Sequence, residues 1–138
     1  MRIGLVSYRC ENNNIWFNMS QIECAMKHYT GKVDLLCFGE AFLQGFDALC
    51  GDLWEFPERF QTEHPLIWPV YVDYTVEEWN DVALDEYAAQ AALAAEDVLM
   101  SNPIDEAPVN HGGVFHFHKG QIKGRIPFDE EDVLIVEI

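Results

Sequence analysis

The stretch Cys50–Phe60, with the sequence CGDLWEFPERF, is the most informative part of the 138-residue chain. It places a cysteine at the mouth of a predicted short helix, and Asp52 and Glu55 suit the first turn, where the helix dipole favours negative charge. The same dipole lowers the pKa of a thiol just before a helix and favours the nucleophilic thiolate. Cys50 is therefore a candidate nucleophile. The alternative is a small buried hydrophobic side chain, which isolated cysteines usually are.

Glu40 stands ten residues before Cys50, at the end of the apolar run Val33–Gly39. A carboxylate just past a buried strand, with a reactive thiol close by in sequence, is typical of a general base beside its nucleophile. The alternative is a solvated acid in a loop.

The overall composition excludes several classes of partner. The formal net charge is −16 with only eight Lys and Arg, which excludes nucleic acid and anionic membrane surfaces because both need clustered cations. No apolar run approaches the length of a membrane-spanning helix. The apolar part of the N-terminus is too short for a signal peptide. Residues 1–138 are predicted to form a single domain.

The four cysteines are spread through the chain, and no two form a Cys-x-x-Cys pair. This distribution indicates free thiols in a reducing cytoplasm, with neither a disulfide framework nor a zinc site.

The first third of the chain predicts a parallel strand–helix–strand unit. The strands are Ile3–Tyr8 and Val33–Phe38, and the second is expected to be buried on both faces because it is uniformly apolar. The helix is Ile15–Tyr29, capped by the preceding asparagines and ended at Thr30–Lys32. Its predicted packing face consists of Ile15, Met19, Ile22 and Met26, with Cys24 and Ala25 near the same side.

The remaining elements follow from local patterns. Thr75 is expected to cap a short helix at Val76, with Glu77 and Glu78 exposed at its start. Pro69 indicates either that the strand around it is an edge strand or that its pairing starts after Pro69. The predicted segments are a strand at Trp68–Val72, a helix at Asp85–Glu96 packing through Tyr87, Ala91, Ala94 and Ala95, a strand at Val98–Met100, a loop at Ile104–Val109, a hairpin of Val114–His118 and Gln121–Lys123, and a final strand at Val133–Val136.

Two further groups of side chains are weaker candidates. His116 and His118 alternate in a strand and so share one face, with His111 near, but zinc needs a third or fourth ligand, and a surface hairpin is the alternative. We predict no metal site. Four aromatic residues could line a substrate pocket, although aromatic residues at strand spacing more often belong to the core: Trp54, Trp68, Tyr71 and Tyr74.

With these elements placed, the chain resembles the carbon–nitrogen hydrolase family, the nitrilase superfamily. Val33–Phe46 resembles the glutamate motif of that family, and Cys50–Glu58 resembles its cysteine motif. Met1–Val6 resembles its first strand, and the Gly112–Ile122 segment resembles its late hairpin. The resemblance covers almost the whole chain.

The resemblance implies an α/β (α+β) fold, a nitrilase-like αββα sandwich with a late β-hairpin. It implies a Glu–Lys–Cys catalytic set in which Glu40 is the general base and Cys50 the nucleophile. The reaction would cleave a non-peptide C–N bond of a small amide or nitrile through a cysteine thioester, without a cofactor.

The chain departs from the family pattern between the two motifs. The family lysine lies there together with several strands and a helix, but here only nine residues separate Glu40 from Cys50 and none is lysine. Trp54–Glu55 also stands where many members have a single arginine. These departures indicate a shortened hydrolase with an internal deletion between residues 46 and 50, or an edited form of a longer protein.

Three functions remain open at this stage. The chain is an amidase or nitrilase that retains thiol chemistry, a catalytically inactive remnant that binds partners, or an acidic interaction domain unrelated to the family. A deleted segment would leave strand edges and apolar faces bare, so we expect a homo-oligomer.

Overall fold

The computed structural model describes residues 1–12, 14–43, 63–106 and 109–138. The strands are β1 (Arg2–Ser7), β2 (Leu35–Cys37), β3 (Leu66–Pro69), β4 (Asp97–Ser101), β5 (Ile104–Glu106), β6 (Val109–His111), β7 (Val114–His118), β8 (Gln121–Ile126) and β9 (Asp132–Glu137). The helices are α1 (Ile15–Tyr29), α2 (Val76–Glu78) and α3 (Leu84–Ala94), and a π-helical segment, Trp79–Ala83, joins α2 to α3. Within these ranges, no helix has the length and apolar character needed to cross a membrane.

The first sheet has the order β2-β1-β9. β1 pairs with β2 in parallel, as the strand–helix–strand pattern predicts, and with β9 in antiparallel orientation. β2 is shorter than the predicted Val33–Phe38, and the expectation that it is buried on both faces was wrong, since Leu35 is 40% exposed. The reason is its place at the edge of this sheet, which sequence composition does not reveal.

Helix α1 has the predicted bounds, Ile15–Tyr29. The Asn14 side chain accepts a hydrogen bond from the Phe17 N–H, and Gly31 just past the helix has φ +76°. The predicted packing face is confirmed only at Ala25, which is buried. It was wrong at Ile15, Met19, Cys24 and Met26, which are exposed, and the other buried residue of the helix is Asn18.

The rotation of that face follows from the hydrogen bonds of Asn18. Its Oδ1 accepts from the Glu11 N–H (2.7 Å), and its Nδ2 donates to the carbonyls of Glu11 (2.8 Å) and Leu43 (3.1 Å). A buried amide that satisfies three backbone groups takes the inward position, and the large apolar side chains turn outward.

The second sheet has the order β3-β4-β7-β8, with β3 and β4 parallel. The edge position predicted for the Pro69 strand is confirmed. The alternative that pairing starts after Pro69 was wrong, because the paired strand spans Leu66–Pro69 instead of Trp68–Val72. The hairpin of β7 and β8 and the final strand β9 are confirmed.

The loop predicted for Ile104–Val109 was wrong, because β5 and β6 form a small antiparallel pair there. The Ile104 N–H donates to the Tyr8 carbonyl (3.0 Å), and the Cys10 N–H donates to the Ile104 carbonyl. These partners are almost a hundred positions away in sequence, and strands of three residues carry no readable alternation.

Two cores hold the layers together. Ile3, Leu5, Leu99 and Val114 belong to the core between the two sheets. The other core lies under α3 and contains Tyr87, Ala91, Ala94 and Ala95, which confirms the face predicted for that helix. Trp68 stacks on Tyr87 there, with ring centroids 5.1 Å apart, and Tyr74 packs at its margin, so both belong to the core instead of a substrate pocket.

Candidate active site

The carboxyl ends of β1, β2, β3 and β4 meet at one edge of the sandwich. The Ser101 hydroxyl at the end of β4 donates to the Phe38 carbonyl just after β2 (2.9 Å). The Gly113 N–H donates to the Ser7 hydroxyl at the end of β1 (3.1 Å). Ligands of α/β proteins commonly bind outside the carboxyl ends of the strands, so this edge is the candidate active site.

Glu40 lies at this edge, three residues beyond β2. Its backbone N–H donates to the Val70 carbonyl (3.2 Å), and the next residue, Ala41, has φ +53°. A left-handed conformation is uncommon for residues other than glycine and tends to occur at functional sites. The backbone is therefore held in a specific bend at the candidate base.

Gly39 allows this bend to sit directly against the second sheet. A Cβ built at Gly39 would lie 2.5 Å from the Pro103 backbone nitrogen and 3.0 Å from the Asn102 carbonyl carbon. Only glycine permits an approach this close, because backbone atoms cannot swing aside as a flexible side chain does.

A buried amide network lies beneath the same edge. Asn102 is fully buried. Its Oδ1 accepts from the Val72 N–H (3.1 Å), and its Nδ2 donates to Asn110 Oδ1 (2.7 Å) and to the Gly112 carbonyl (2.8 Å). The network ties the segment after β3, the residue after β4, strand β6 and the turn before β7 together, and so fixes the floor of the site.

Tyr71, Asp105 and Cys10 form a second polar group at this edge. The Tyr71 hydroxyl donates to Asp105 Oδ2 (2.8 Å), and Asp105 is 4% exposed. Burial, and then the hydrogen bond to Asp105, raises the pKa of Tyr71 well above its ordinary value, so Tyr71 stays protonated. Of the aromatic residues predicted for a pocket, Tyr71 is the one that the structure brings to the candidate site, and Trp54 lies outside the described residues.

The described cysteines are free thiols. Burial, and then the charge of Asp105, raises the pKa of Cys10 to about 12, and burial also raises the pKa of Cys37. Both side chains are therefore neutral thiols and poor nucleophiles at physiological pH. Cys24 is exposed on α1, and Cys50, the predicted nucleophile, lies outside the described residues.

Three of the lysines that the structure describes lie away from this edge. Lys119 pairs with Glu96 (3.2 Å) where β4 begins, whereas Glu40 lies beyond the other end of that strand, about 13 Å away along its length. Lys27 pairs with Glu23, and Lys32 stands over the Tyr29 ring, both at the end of α1. None of them replaces the lysine that the family pattern requires.

The two histidines of the hairpin contact one carboxylate oxygen. His116 Nε2 and His118 Nδ1 lie 2.6 Å and 3.0 Å from the same oxygen, Asp97 Oδ1, so the two histidines share a face as predicted. Burial opposes ionisation of Asp97, but the hydrogen bonds from both histidines hold its pKa below the ordinary value. His116 is buried, so the surface-hairpin interpretation is wrong for that residue. Among the described side chains, no group of three or more His, Cys, Asp or Glu is arranged to hold a metal ion.

Sequence reasoning missed Asn102, Asp105 and Cys10 as members of this edge. A signal was present for Asn102, which directly follows the buried strand β4 just as Glu40 follows β2. Asp105 fell in the segment predicted to be a loop, and its burial depends on contacts that are distant in sequence.

Comparison with known proteins identifies the fold. No family model and no curated protein matches the chain. The chain is similar to the solved structure of a CN-hydrolase superfamily protein from Xanthomonas campestris that carries an arsenic adduct in its active site. The TM-score is 0.75 at 12% identity, with 99% of this chain and 89% of that chain covered. The chain therefore has a mixed α/β architecture of the CN-hydrolase type, the predicted αββα sandwich.

Two weaker similarities involve longer chains. One is to a double mutant of the amidase from Nesterenkonia sp. AN1 in complex with acrylamide (TM-score 0.32, 14% identity, 92% of this chain and 42% of that chain). The other is to a nitrilase superfamily member of branch 10 from Saccharomyces cerevisiae (TM-score 0.27, 12% identity, 92% and 43%). This chain spans less than half the length of either protein.

Proposed function

We propose that this chain is a carbon–nitrogen hydrolase that acts on a small amide or nitrile, with Cys50 as the nucleophile and Glu40 as the general base. The observation that carries the proposal is the position of Glu40, beyond β2 at the carboxyl edge of a CN-hydrolase-type sandwich. The left-handed backbone conformation of Ala41 and the close contact of Gly39 with Pro103 support a catalytic role for the Glu40 carboxylate.

The proposed reaction with an amide proceeds in two halves. The Cys50 sulfur attacks the carbonyl carbon while Glu40 accepts the thiol proton. The C–N bond then breaks, and the same proton leaves with the amine, so a thioester remains on Cys50. Water attacks the thioester, Glu40 accepts a proton from that water, and the carboxylic acid and the free thiol are released.

The absence of a lysine between Glu40 and Cys50 favours a second candidate, a catalytically inactive remnant. Loss of one preorganised oxyanion-stabilising group commonly costs about 100- to 1000-fold in rate. A surviving enzyme would rely on backbone N–H groups and would be slow. A remnant would keep the fold and bind partners without turnover.

The decisive experiment measures acylation and turnover separately. We expect intact-mass spectrometry with short aliphatic amides and nitriles to detect an acyl adduct on Cys50, and an ammonia assay to detect slow release. Cys50→Ala should abolish both, and Glu40→Gln should lower turnover by about 100-fold or more. Cys24→Ala, at an exposed thiol on α1, is the matched control and should behave as wild type. If wild type forms no acyl adduct and releases ammonia no faster than Cys50→Ala does, the chain is a catalytically inactive remnant.

We further propose that the protein works in the cytoplasm as a homo-oligomer. The free thiols of Cys10, Cys24 and Cys37 support a reducing compartment. The α1–β2 face, defined by the exposed Ile15, Trp16, Met19, Met26 and Leu35, supports contact with a second copy.

Charge supports the same face as the contact between copies. Lys27 pairs with Glu23, and Arg2 pairs with Asp34, so the charges of this face are locally balanced in a chain of net charge −16. Two copies would repel each other least where these faces meet. The edge of β2, open within the described residues, could then pair with its symmetry mate.

Light scattering coupled to size exclusion tests this contact. We expect wild type to have the mass of a dimer or a higher oligomer, and Trp16→Glu to have the mass of a monomer. Leu93→Glu, an equally drastic change at an exposed position of α3, should leave the mass unchanged. A monomeric wild type at the highest soluble concentration would contradict the proposal.

A further inference from the structure

Lys32 and Glu40 flank strand β2 at its opposite ends. Lys32 is the lysine nearest to Glu40 in the sequence, but residues 33–37 lie between the two and span about 16 Å, which exceeds the length of a lysine side chain. Lys32 is exposed, and within the described residues its ammonium makes no ion pair and stands over the Tyr29 ring, 5.3 Å from the centroid. The Lys32 ammonium therefore does not serve the Glu40 of its own copy.

The edge of β2, open within the described residues, presents the backbone of its middle residue, Leu36. Met1 and Ile138 exchange both of their backbone hydrogen bonds, so the odd-numbered residues of β1 bond to β9 and the even-numbered residues bond to β2. Gly4 lies opposite Leu36 in the parallel pair, and so it bonds to the residues on either side of Leu36. The N–H and C=O of Leu36 therefore point away from β1.

The neighbouring backbone groups along this edge already have partners. The Asp34 N–H donates to the Arg2 carbonyl (2.8 Å), and the Phe38 carbonyl accepts from the Ser101 hydroxyl (2.9 Å). A second copy that pairs with β2 in antiparallel orientation therefore finds both groups available only at Leu36. Two copies of Leu36 exchange N–H···O=C bonds across a two-fold axis, which is the isologous arrangement of a symmetric dimer.

An axis at Leu36 sets the register of the residues around it. Each residue lies opposite the one that is equally far from Leu36 on its other side in the second copy. Glu40 follows Leu36 by four positions and Lys32 precedes it by four, so Lys32 of the second copy comes level with Glu40. Paired strands lie about 5 Å apart, a distance that the flexible stem of a lysine covers.

The same axis brings apolar surface of the two copies together. A groove of about 440 Å³ runs between α1 and β2, and Met26, Tyr29, Leu36 and Phe38 contribute to its lining. An axis perpendicular to the sheet keeps both copies of α1 on one face of the joined sheet, so each α1 faces the groove of the other copy. This contact covers Met26, which is 57% exposed in a single copy.

We propose that the dimer completes the active site, with Lys32 of each copy beside Glu40 of the other, where its ammonium stabilises the negative oxygen of the tetrahedral intermediate. The inference rests on the hydrolase function and the β2 contact proposed above. It supplies a cation to a chain that has no lysine between Glu40 and Cys50. An ammonium at this place also favours the ionised form of Glu40, which is the form that accepts a proton.

Mixing two inactive variants tests the exchange of Lys32 between copies. We expect E40Q and K32Q each to lower ammonia release by about 100-fold or more, and both to keep the dimer mass in light scattering. After subunit exchange, half of the dimers contain one copy of each variant, and one of their two sites has both Glu40 and the opposite Lys32. The mixture should therefore recover about one quarter of the wild-type rate. K27Q, at another exposed lysine of α1, is the matched control and should turn over as wild type does.

Disulfide trapping tests the placement without relying on activity. In a C24A background, a mixture of K32C and E40C is oxidised and digested, and we expect a peptide pair that joins positions 32 and 40 of different copies. Absence of this link overturns the proposal, whether or not wild type is active. A link with an active wild type but no recovery in the mixture overturns the role of Lys32. A link with a wild type that releases no ammonia overturns the hydrolase function, and with it the role of Lys32, while the dimer contact stands.

Discussion

Replacing Asn102 by alanine should lower the free energy of unfolding by about 4 kcal/mol, the largest loss that we expect from a single truncation in this protein. The substitution leaves the Val72 N–H, the Gly112 carbonyl and the Asn110 side chain without their partner in a site that water does not reach. Each stranded buried group costs about 1–3 kcal/mol, and the cavity left by the amide adds to that cost.

Urea denaturation followed by circular dichroism measures this loss. A domain of this size is stable by roughly 5–15 kcal/mol, so the midpoint should shift far enough to be unambiguous. Asn80→Ala is the matched control, because that side chain is exposed and makes one bond, to the Val76 carbonyl four residues earlier. A loss for Asn102→Ala no greater than that of the control would show that the amide network contributes no stability.

Gly39→Ala should reduce stability by about 3 kcal/mol and should also displace Glu40. The added methyl would meet backbone atoms of Asn102 and Pro103, which cannot move without shifting the whole carboxyl end of β4. The cheaper response is for the chain at 38–40 to retreat, which breaks the hydrogen bond from the Glu40 N–H to the Val70 carbonyl. We therefore expect Gly39→Ala to lose turnover as completely as Glu40→Gln.

The control for this substitution is Gly124→Ala in β8. A Cβ there would lie 3.4 Å from a methyl of Leu134, an ordinary contact, and the stability should stay within about 1 kcal/mol of wild type. Both variants are compared by urea denaturation and by the ammonia assay. Wild-type turnover in Gly39→Ala would mean that Glu40 does not need its observed position, and would count against its role as the base.

The helices were predictable because their limits depend on a few adjacent residues. Asn14 and Gly31 bound α1, and Thr75 forms with Glu78 a reciprocal pair of hydrogen bonds that begins α2, at the exposed start predicted for it. These signals act within one helical turn, so the sequence alone contains them.

Burial was less predictable, because it depends on what covers an element. Leu35 is apolar and was expected to be buried, yet β2 lies at a sheet edge and leaves the Leu35 side chain exposed. Met19 and Met26 have ideal helical spacing but turn outward, because Asn18 is held inside by its bonds to Glu11 and Leu43. Neither outcome follows from periodicity.

The candidate site was predictable in its principal residue and not in its surroundings. A carboxylate shortly after an apolar strand led to the prediction of Glu40 as the base, which stays a prediction, and the same rule applied to β4 would have identified Asn102. Asp105 required knowledge that Ile104 pairs with the chain after β1, a contact between segments almost a hundred residues apart. Long-range pairing of this kind has no local signature.

The pairing of β1 with β9 sets an order for folding. Residues 66–126 are continuous in sequence and contain every strand of the second sheet together with α3, so that half can form while the chain is still growing. The central strand of the first sheet must wait for residues 132–137, at the other end of the chain. Until they emerge from the ribosome, Ile3 and Leu5 lie in an incomplete sheet, so the first sheet is the last part of the fold to be completed.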